Sequence, residues 1–207
     1  MTEDMIKRDK TALAVIDPYN DFLSFGGKSW LLNRATLRAL DTNKHLEQLL
    51  DAARSVDMTI CFAPHARYRT GAFDGRRYLN PSIYLARFFR TFTDGKWGGR
   101  FRKGCSPLPS DFVAREHLVS SGFVNTDLDE HLREKGIENL VLCGCLSNTC
   151  IESTARSAIE LGYRVTIISD ALAAMSKADH EAATQTGFPM CAHEVISTSS
   201  FIGSLKS

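Results

Sequence analysis

The sequence lacks the features that mark membrane proteins and nucleic-acid-binding proteins. It has no run of 18 apolar residues, and its start, MTEDMIKRDK, contains neither the apolar segment nor the cleavage site of a signal peptide. An excess of one charge is also missing, because 25 Lys and Arg stand against 24 Asp and Glu. No overall field therefore attracts a phosphate backbone or an anionic lipid surface. We expect a cytoplasmic protein without nucleic-acid or membrane partners.

Cysteine, in contrast, is well represented. A chain of 207 residues buries enough apolar surface to fold without disulfides or a structural metal, and cytoplasmic thiols stay reduced. We therefore expect the cysteines to be core thiols, metal ligands or a nucleophile. The six are Cys61, Cys105, Cys143, Cys145, Cys150 and Cys191.

Short apolar runs alternate with segments of helical period along the chain. This alternation predicts βαβ units, and hence an α/β fold: a Rossmann-like three-layer α/β/α sandwich with a mainly parallel sheet of about six strands, in a single domain over residues 1–207. The predicted strands are Thr11–Ile16, Met58–Pro64, Asp111–Glu116, Asn139–Gly144, Tyr163–Ser169 and Glu194–Ser200. The predicted helices are Leu37–Ala53, Leu79–Phe92, Leu128–Lys135, Thr149–Leu161 and Ala178–Thr186.

Three candidate catalytic residues follow predicted strands, at the edge where open parallel sheets place their sites. Asp17 directly follows the first strand and can transfer protons, with a turn cap as the alternative. Cys150 opens a helix, where free N–H groups favour a thiolate and can hold an oxyanion; a buried core thiol is the alternative. His117 stands at a strand exit as a proton carrier or a cation beside the thiolate, with a solvated loop histidine as the alternative.

Aromatic and basic residues near the same strand ends indicate a pocket. Tyr19, Phe22 and Trp97 are expected to wall a site for a small organic substrate, with packing under a loop as the alternative. Ser121 is a further candidate substrate contact. The irregular stretch from His65 to Pro109 is long enough to serve a site, and its arginines hint at an anionic substrate group, although loop arginines are often only solvated. These arginines are Arg67, Arg69, Arg76, Arg77, Arg100 and Arg102.

The spacing of possible metal ligands argues against a metal centre. Cys143 lies within a predicted strand, so Cys143 and Cys145 do not form a zinc knuckle, and no C-x-x-C or H-x-x-x-H pair stands elsewhere. His65 has no nearby D-x-H partner. We therefore expect neither a metal nor another cofactor.

Three motifs in chain order resemble the isochorismatase-like cysteine hydrolases: IDPYNDF, SGFVNTDLDEHL and GCLSNTCIESTARSAIELGYRVTIISDA. The resemblance runs from about Thr11 to Thr198, and the last motif is highly specific. It implies a Rossmann-like fold, assembly as a homodimer or homotetramer, and a catalytic triad of Asp, Lys and Cys. Asp17 matches the first member of that triad and Cys150 matches the last.

The resemblance also implies details of the cysteine turn. A cis peptide is expected at Cys145-Leu146, and the N–H groups of Leu146 and Cys150 are expected to form an oxyanion hole. One departure concerns the Lys: this sequence has Glu116-His117 in its place, which resembles a subgroup of the same family. A His there can pair with Asp17 and Cys150 and raise the thiolate population.

Two further comparisons with the family narrow the expected chemistry. The nicotinamidase branch has an Asp and paired His residues for a metal after its second strand, whereas this chain has FAPHARYRTGAF with one His, which disfavours a metal-dependent nicotinamidase. True isochorismatases can do without the Cys, so its presence here favours acyl transfer at a C–N bond.

The leading hypothesis is a cysteine hydrolase that cleaves the C–N bond of a small amide, ureido or carbamoyl compound through a thioester. Asp17 would carry the proton from Cys150 to the leaving amine, and His117 would tune the charge of the pair or orient the substrate. Two alternatives stay open. One is a non-catalytic or redox-responsive family member, and the other is a vinyl-ether hydrolase that uses Asp17.

Overall fold

A computed structural model describes residues 7–71, 74–75 and 77–205. The strands are β1 Thr11–Ile16, β2 Thr59–Ala63, β3 Phe112–Val113, β4 Asn139–Cys145, β5 Arg164–Ala173 and β6 Glu194–Ile196. The α-helices are α1 Asn20–Leu23, α2 Trp30–Ala39, α3 Thr42–Ser55, α4 Pro81–Phe88, α5 Leu128–Glu134, α6 Glu152–Glu160, α7 Lys177–Ala182 and α8 Thr198–Ser204. Short 3₁₀ turns cover Arg8–Lys10, Trp97–Gly99 and Phe188–Met190, and π-helical turns cover Ser147–Ile151 and Ala183–Gly187.

The six strands form one parallel sheet in the order β3-β2-β1-β4-β5-β6. This order confirms the predicted α/β fold with a parallel six-stranded sheet. The chain leaves β1 toward β2 on one side and later returns to β4 on the other side. The strand order thus reverses between β1 and β4, and in open α/β sheets ligands bind beyond the carboxyl ends of the strands at such a point.

The two faces of the sheet carry separate hydrophobic cores, and β1 contributes to both. Its residues are all buried, and successive side chains of a strand point to opposite faces. Leu13 and Val15 pack into the core that contains α3 and α8. Ala12, Ala14 and Ile16 pack into the core that contains α5 and α6. A strand covered by helices on both faces explains the continuous apolar run TALAVI.

Several predicted boundaries shift for local reasons. The predicted helix Leu37–Ala53 is two helices, α2 and α3, because Asp41 between them adopts the left-handed conformation (φ 50°). The predicted strand Glu194–Ser200 ends at Ile196, since the Ser197 side chain accepts a hydrogen bond from Ser200 N and caps α8. The predicted strand Asp111–Glu116 has only two paired residues in β3.

The other boundaries are close to those predicted. β1 matches its predicted range, and β5 is longer, extending to Ala173. None of the helices in the described part of the chain is long and apolar enough to cross a membrane.

Close packing between β1 and β4 requires a glycine at the reversal of strand order. Gly144 pairs with Ile16 and has a φ of +117°, which favours glycine. A Cβ at this position would lie 2.1 Å from the Ile16 carbonyl oxygen. Only glycine therefore lets the end of β4 approach the end of β1, and this approach places the residues that follow the two strands beside each other.

Candidate active site

Asp17 lies at the centre of the sheet edge and is completely buried. It directly follows β1, its backbone N–H donates to the Ala63 carbonyl group at the end of β2 (3.2 Å), and its φ is +51°. Positive φ is uncommon for residues other than glycine, although Asp and Asn tolerate it. Its Oδ2 atom has no hydrogen-bond partner among the described residues. The side chain is therefore a buried carboxylate with one free oxygen.

His117 provides the partner of the other carboxylate oxygen. Its Nε2 atom lies 3.0 Å from Asp17 Oδ1, and the ring is 1% exposed. Backbone bonds fix its place beside β2: His117 N donates to Pro64 O (2.9 Å), and Ala66 N donates to His117 O (2.7 Å). Nδ1 is buried and has no partner among the described residues. We place a proton on Nε2, because the Asp17 carboxylate accepts a hydrogen bond there.

Cys150 is the third member of the cluster and lies in the turn that follows β4. One ligand-type atom from each of Asp17, His117 and Cys150 lies within 4.8 Å of the other two, and all three residues are buried. Cys150 lies in the π-helical turn Ser147–Ile151 that precedes α6. π-helical turns occur frequently at functional sites.

The environment of the thiol differs from the sequence-based expectation. Burial, and then the negative charge of Asp17, raise the pKa of the Cys150 thiol well above its usual range. The Thr149 hydroxyl group and the Leu146 backbone act in the opposite direction, with smaller effect. Burial therefore opposes the thiolate that the helix start led us to expect, and its effect on the pKa outweighs that of the N–H groups of the turn. The thiol lies beside the buried side chain of Asp17.

The backbone before Cys150 has the conformation that the family resemblance implies. The Cys145-Leu146 peptide is cis. Leu146 O accepts hydrogen bonds from Thr149 N (3.2 Å) and Ile151 N (3.1 Å). Leu146 and Cys150 are both buried. The two predicted oxyanion donors, Leu146 N and Cys150 N, are thus brought into one compact turn.

Glu116, the neighbour of His117, belongs to a different cluster. It accepts hydrogen bonds from Arg67 N (3.1 Å) and from both terminal nitrogens of Arg69 (2.8 and 3.1 Å), and it pairs with the Arg67 guanidinium. Burial raises the pKa of Glu116, but these hydrogen bonds outweigh it and lower the pKa overall. Of the Glu-His pair, only His117 therefore faces Asp17.

The other described arginines of the irregular stretch also have partners. Arg102 pairs with Glu47, the Arg77 guanidinium lies over the Tyr78 ring, and Arg100 donates to Gly95 O (3.5 Å). Arg76 lies outside the described residues. Arg67, Arg69 and Arg102 are bound to carboxylates, and this pairing offsets part of the positive charge that hinted at an anionic substrate.

His65 lies near the cluster but was not predicted as a catalytic residue. The His65 ring contacts the His117 ring edge-on (centroids 5.3 Å apart) and lies 5.4 Å from the Phe92 ring. His65 Nδ1 lies 3.0 Å from Ala66 O, and burial lowers the pKa of His65. A signal was present, because His65 follows β2 as Asp17 follows β1. From the sequence, His65 was considered only as a possible metal ligand.

Two predicted pocket walls lie in the core. Tyr19 is completely buried, its hydroxyl group donates to His65 O (2.8 Å), and its ring stacks on Phe92 and Phe101. Phe22 is also buried and packs edge-on against Phe92. The packing alternative therefore describes both residues. Other side chains cover both rings, so Tyr19 and Phe22 pack beneath the irregular stretch and do not line a pocket.

The remaining predicted substrate contacts, Trp97 and Ser121, lie apart from one another. Trp97 is half exposed and lines an open hollow of about 460 Å³. Asp17, His117 and Cys150 do not line this hollow. The other lining residues of this hollow are Asn20, Ser24, Glu47, Arg102, Lys103 and Gly104. The Ser121 hydroxyl group is used in packing against α6, where it bonds to Ser157 Oγ (2.8 Å).

Buried Asp21 anchors the irregular stretch to the end of β1. Its Oδ2 accepts from Phe92 N (2.7 Å) and its Oδ1 accepts from Lys28 N (3.0 Å). A Cβ at Gly98 would lie 2.3 Å from Asp21 Oδ1, so the chain passes directly against this carboxylate. The irregular stretch is thereby tied to the loop that carries Asp17.

The chemistry of the cluster follows from its geometry. A buried thiol, a carboxylate with a free oxygen, and an imidazole that holds the other oxygen are arranged at the edge of a parallel sheet. A thiol beside a base is the arrangement of nucleophilic catalysis. These features define the class of Rossmann-like α/β hydrolases.

Comparison with known proteins agrees with this class. The Isochorismatase domain family matches residues 11–200. The isochorismatase family protein YddQ of Bacillus subtilis is 32% identical over 163 residues, covering 79% of this chain and 77% of YddQ. The ureidoacrylate amidohydrolase RutB of Caulobacter vibrioides is 30% identical over 173 residues, covering 78% of this chain and 76% of RutB.

Solved structures show the same fold. A cysteine hydrolase from Pseudomonas syringae superposes with a TM-score of 0.83 at 26% identity, covering 98% of this chain and 95% of that one. The N-carbamoylsarcosine amidase of Thermoplasma acidophilum superposes with a TM-score of 0.68 at 24% identity, covering 91% and 96%. The chain belongs to the isochorismatase family and is a hydrolase of that family.

Proposed function

We propose that this protein is a cysteine hydrolase that cleaves the C–N bond of a small amide, ureido or carbamoyl compound through a thioester. The observation that carries the proposal is the buried Asp17 carboxylate, which has one free oxygen and lies within 4.8 Å of the Cys150 thiol. Relatives whose names state an amidohydrolase or an amidase, acting on ureidoacrylate and on N-carbamoylsarcosine, support the bond type.

The first half-reaction begins with the thiol. Because the pKa of Cys150 is raised, the thiol needs a base at the moment of attack, and Oδ2 of Asp17 is the free acceptor. The sulfur attacks the carbonyl carbon, and the N–H groups of Leu146 and Cys150 hold the oxyanion. The proton passes from Asp17 to the leaving nitrogen, the C–N bond breaks, and an acyl thioester stays on Cys150.

The second half-reaction returns the enzyme to its starting state. Water takes the place of the departed amine, and Asp17 removes one of its protons. The hydroxide oxygen attacks the thioester carbonyl carbon, the C–S bond breaks, and the proton held by Asp17 returns to the sulfur. The same carboxylate thus acts as base and acid in both halves, as microscopic reversibility requires.

His117 is the positioning residue of this mechanism and takes the place of the family's Lys. Its Nε2–H holds Oδ1 of Asp17 (3.0 Å), which leaves Oδ2 as the oxygen that exchanges protons. A hydrogen bond to one oxygen fixes the orientation of the carboxylate and so keeps it within reach of the thiol.

A substrate panel tests the proposal. N-carbamoyl amino acids, ureido acids and primary amides are incubated with the wild type, and release of ammonia or amine is measured. Cys150→Ala is expected to lower kcat by at least about 10,000-fold, because the covalent route is lost. Mass spectrometry after acid quenching is expected to find the acyl group on the Cys150 peptide.

Cys191→Ser is the matched control. Cys191 is also a buried free thiol, and its Sγ donates to Gly187 O (3.2 Å), a bond that serine keeps. This variant is expected to retain turnover. Wild-type turnover by Cys150→Ala, or a wild type that cleaves no member of the panel, would contradict the proposal. Loss with Asp17→Asn but not with Cys150→Ala would favour the vinyl-ether chemistry.

We also propose the homodimer or homotetramer that the family resemblance implies. It is supported by an exposed apolar face on and beside α4, formed by Tyr84, Leu85, Phe88 and Phe89. Contiguous exposed apolar surface of this kind is typical of protein interfaces. Phe88→Ser is expected to lower the molar mass measured by light scattering after gel filtration, and an unchanged mass would argue against this face.

A further inference from the structure

The substitution of His for the family's Lys changes what the catalytic cluster can bind. Asp17, His117 and Cys150 each offer a ligand atom of a different kind, an oxygen, a nitrogen and a sulfur, within 4.8 Å of one another. Two side-chain atoms in the cluster, Asp17 Oδ2 and His117 Nδ1, are buried without a hydrogen-bond partner among the described residues. Buried polar atoms without partners are rare and point to a missing ligand or to catalysis.

The donor set matches one class of metal ion. Zinc and other borderline-soft divalent ions accept thiolate, imidazole and carboxylate ligands, often three from the protein with a fourth position open. Mg²⁺ and Ca²⁺ prefer oxygen ligands. A thiolate and a carboxylate together balance the two positive charges, so a buried site of this kind is neutral. An ammonium at the same place has three donors and no lone pair, and it would repel the ion.

The distances are compatible with coordination after a small adjustment. Metal–ligand bonds of about 2.0–2.3 Å in a tetrahedron place neighbouring donor atoms roughly 3.3–3.7 Å apart. His117 Nε2 and Asp17 Oδ1 are already 3.0 Å apart. The three ligand atoms lie within 4.8 Å of one another. A movement of the Cys150 sulfur by about 1 Å therefore brings it to a coordinating distance, and a side-chain rotation supplies this movement.

We propose that Asp17, His117 and Cys150 bind one zinc-class divalent ion, and that occupancy of this site inhibits the enzyme. Three metal–ligand bonds form, the Cys150 thiol proton leaves to solvent, the proton on His117 Nε2 moves to Nδ1 so that Nε2 can bind the ion, and no electron is transferred. The inhibition rests on the proposed function, because the metal occupies the sulfur that attacks and the carboxylate that accepts its proton. The binding itself depends only on the donor set.

Cobalt substitution tests the binding independently of activity. Co²⁺ is titrated into the metal-free full-length protein, and the thiolate-to-cobalt charge-transfer band and the visible d–d bands are recorded. One Co²⁺ per chain is expected, displaced by Zn²⁺ and not by excess Mg²⁺. Cys150→Ser is expected to lose the charge-transfer band. His117→Lys is expected to weaken Co²⁺ binding by at least about 100-fold, because losing a direct ligand costs more than the roughly 10–100-fold effect of losing an outer hydrogen-bond partner.

The control variant Cys191→Ser is expected to keep the whole spectrum, because it removes a thiol outside the cluster. A charge-transfer band that persists in Cys150→Ser, equal binding by His117→Lys, or no band in the wild type would each overturn the proposal.

Measuring activity in the presence of Zn²⁺ separates metal binding from the proposed function. Zn²⁺ that abolishes turnover, with recovery on addition of a chelator, is the expected result, and faster turnover with Zn²⁺ would overturn inhibition. A cobalt spectrum in a protein that hydrolyses no substrate would overturn the proposed function but leave metal binding standing.

Discussion

Glu116 and His117 are neighbours in the chain, yet they belong to polar clusters of opposite character. Glu116 accepts several hydrogen bonds from Arg67 and Arg69, and the charges of this carboxylate cluster are paired. His117 faces Asp17 in the catalytic cluster, where one carboxylate oxygen and one ring nitrogen have no partner among the described residues. A satisfied cluster holds the fold together, whereas buried atoms without partners are kept for binding or chemistry.

The contrast predicts that variants of the two clusters fail in different ways. Changes in the catalytic cluster should remove activity and leave stability intact. Changes at Glu116 should lower stability and affect catalysis less, because the carboxylate faces the arginines rather than Asp17. Measuring kcat and the free energy of unfolding for each variant tests this separation.

Among variants of Asp17, His117 and Glu116, Asp17→Asn is expected to have the largest effect on kcat. Asn tolerates the left-handed backbone of position 17 and keeps the shape of the side chain, but it cannot carry the proton, so kcat should fall by at least about 1,000-fold. The free energy of unfolding should stay the same or rise, because a buried charge is removed. Turnover within tenfold of the wild type, or a large loss of stability, would break the distinction between the clusters.

His117→Ala is expected to lower kcat by about 100-fold, because Asp17 loses the bond that orients it. His117→Lys should retain more activity than His117→Ala, since an ammonium again donates to the carboxylate. The two variants should also differ in the pH profile of kcat, which a purely structural role would not change. Equal kcat values and equal profiles would argue against positioning through Asp17.

Glu116→Gln is expected to destabilise the protein by about 1–3 kcal/mol, because Arg67 and Arg69 lose a charged partner. The pKa of Glu116 is lowered from 4.5, so its stabilising effect is present above that pH and is lost as the pH falls through the lowered value. The difference in unfolding free energy between wild type and variant should therefore shrink below pH 4.5. Glu160→Gln on exposed α6 surface serves as the control, with little change expected.

The smallest effect concerns thiol reactivity. In the wild type, Cys150 should react slowly with iodoacetamide at neutral pH, because burial and Asp17 raise its pKa. Asp17→Asn removes the negative charge and should lower that pKa, which speeds alkylation by about tenfold for each unit. Rates are followed by mass spectrometry of the Cys150 peptide. A slower reaction in Asp17→Asn would show that the charge does not act on the thiol as described.

Much of the fold is readable from the sequence because it depends on local periodicity. The apolar run Thr11–Ile16 matches β1 since it is buried on both faces of the sheet. The break between α2 and α3 was not predicted, because it depends on the positive φ of one residue, Asp41. The π-helical turn that holds Cys150 has no distinct hydrophobic pattern, so the sequence predicts only a helix start.

The candidate site is readable in part for the same reason. Asp17 and Cys150 follow strands that are adjacent in the sheet, and parallel strands bring their carboxyl ends to one edge. Tyr19 shows the limit of this reasoning. Its place after β1 indicated a pocket wall, yet the aromatic rings of Phe92 and Phe101, both distant in sequence, cover it completely.

The sequence by itself determined the parallel sheet, the strand ends that carry Asp17 and Cys150, and the family. Periodicity and short motifs suffice for these, because they are encoded within a few consecutive residues. Only the tertiary structure decided that His117 rather than Glu116 meets Asp17 and that burial raises the pKa of the Cys150 thiol. Both depend on which distant side chains exclude water and supply partners, and desolvation is a property of the packed layers rather than of any segment.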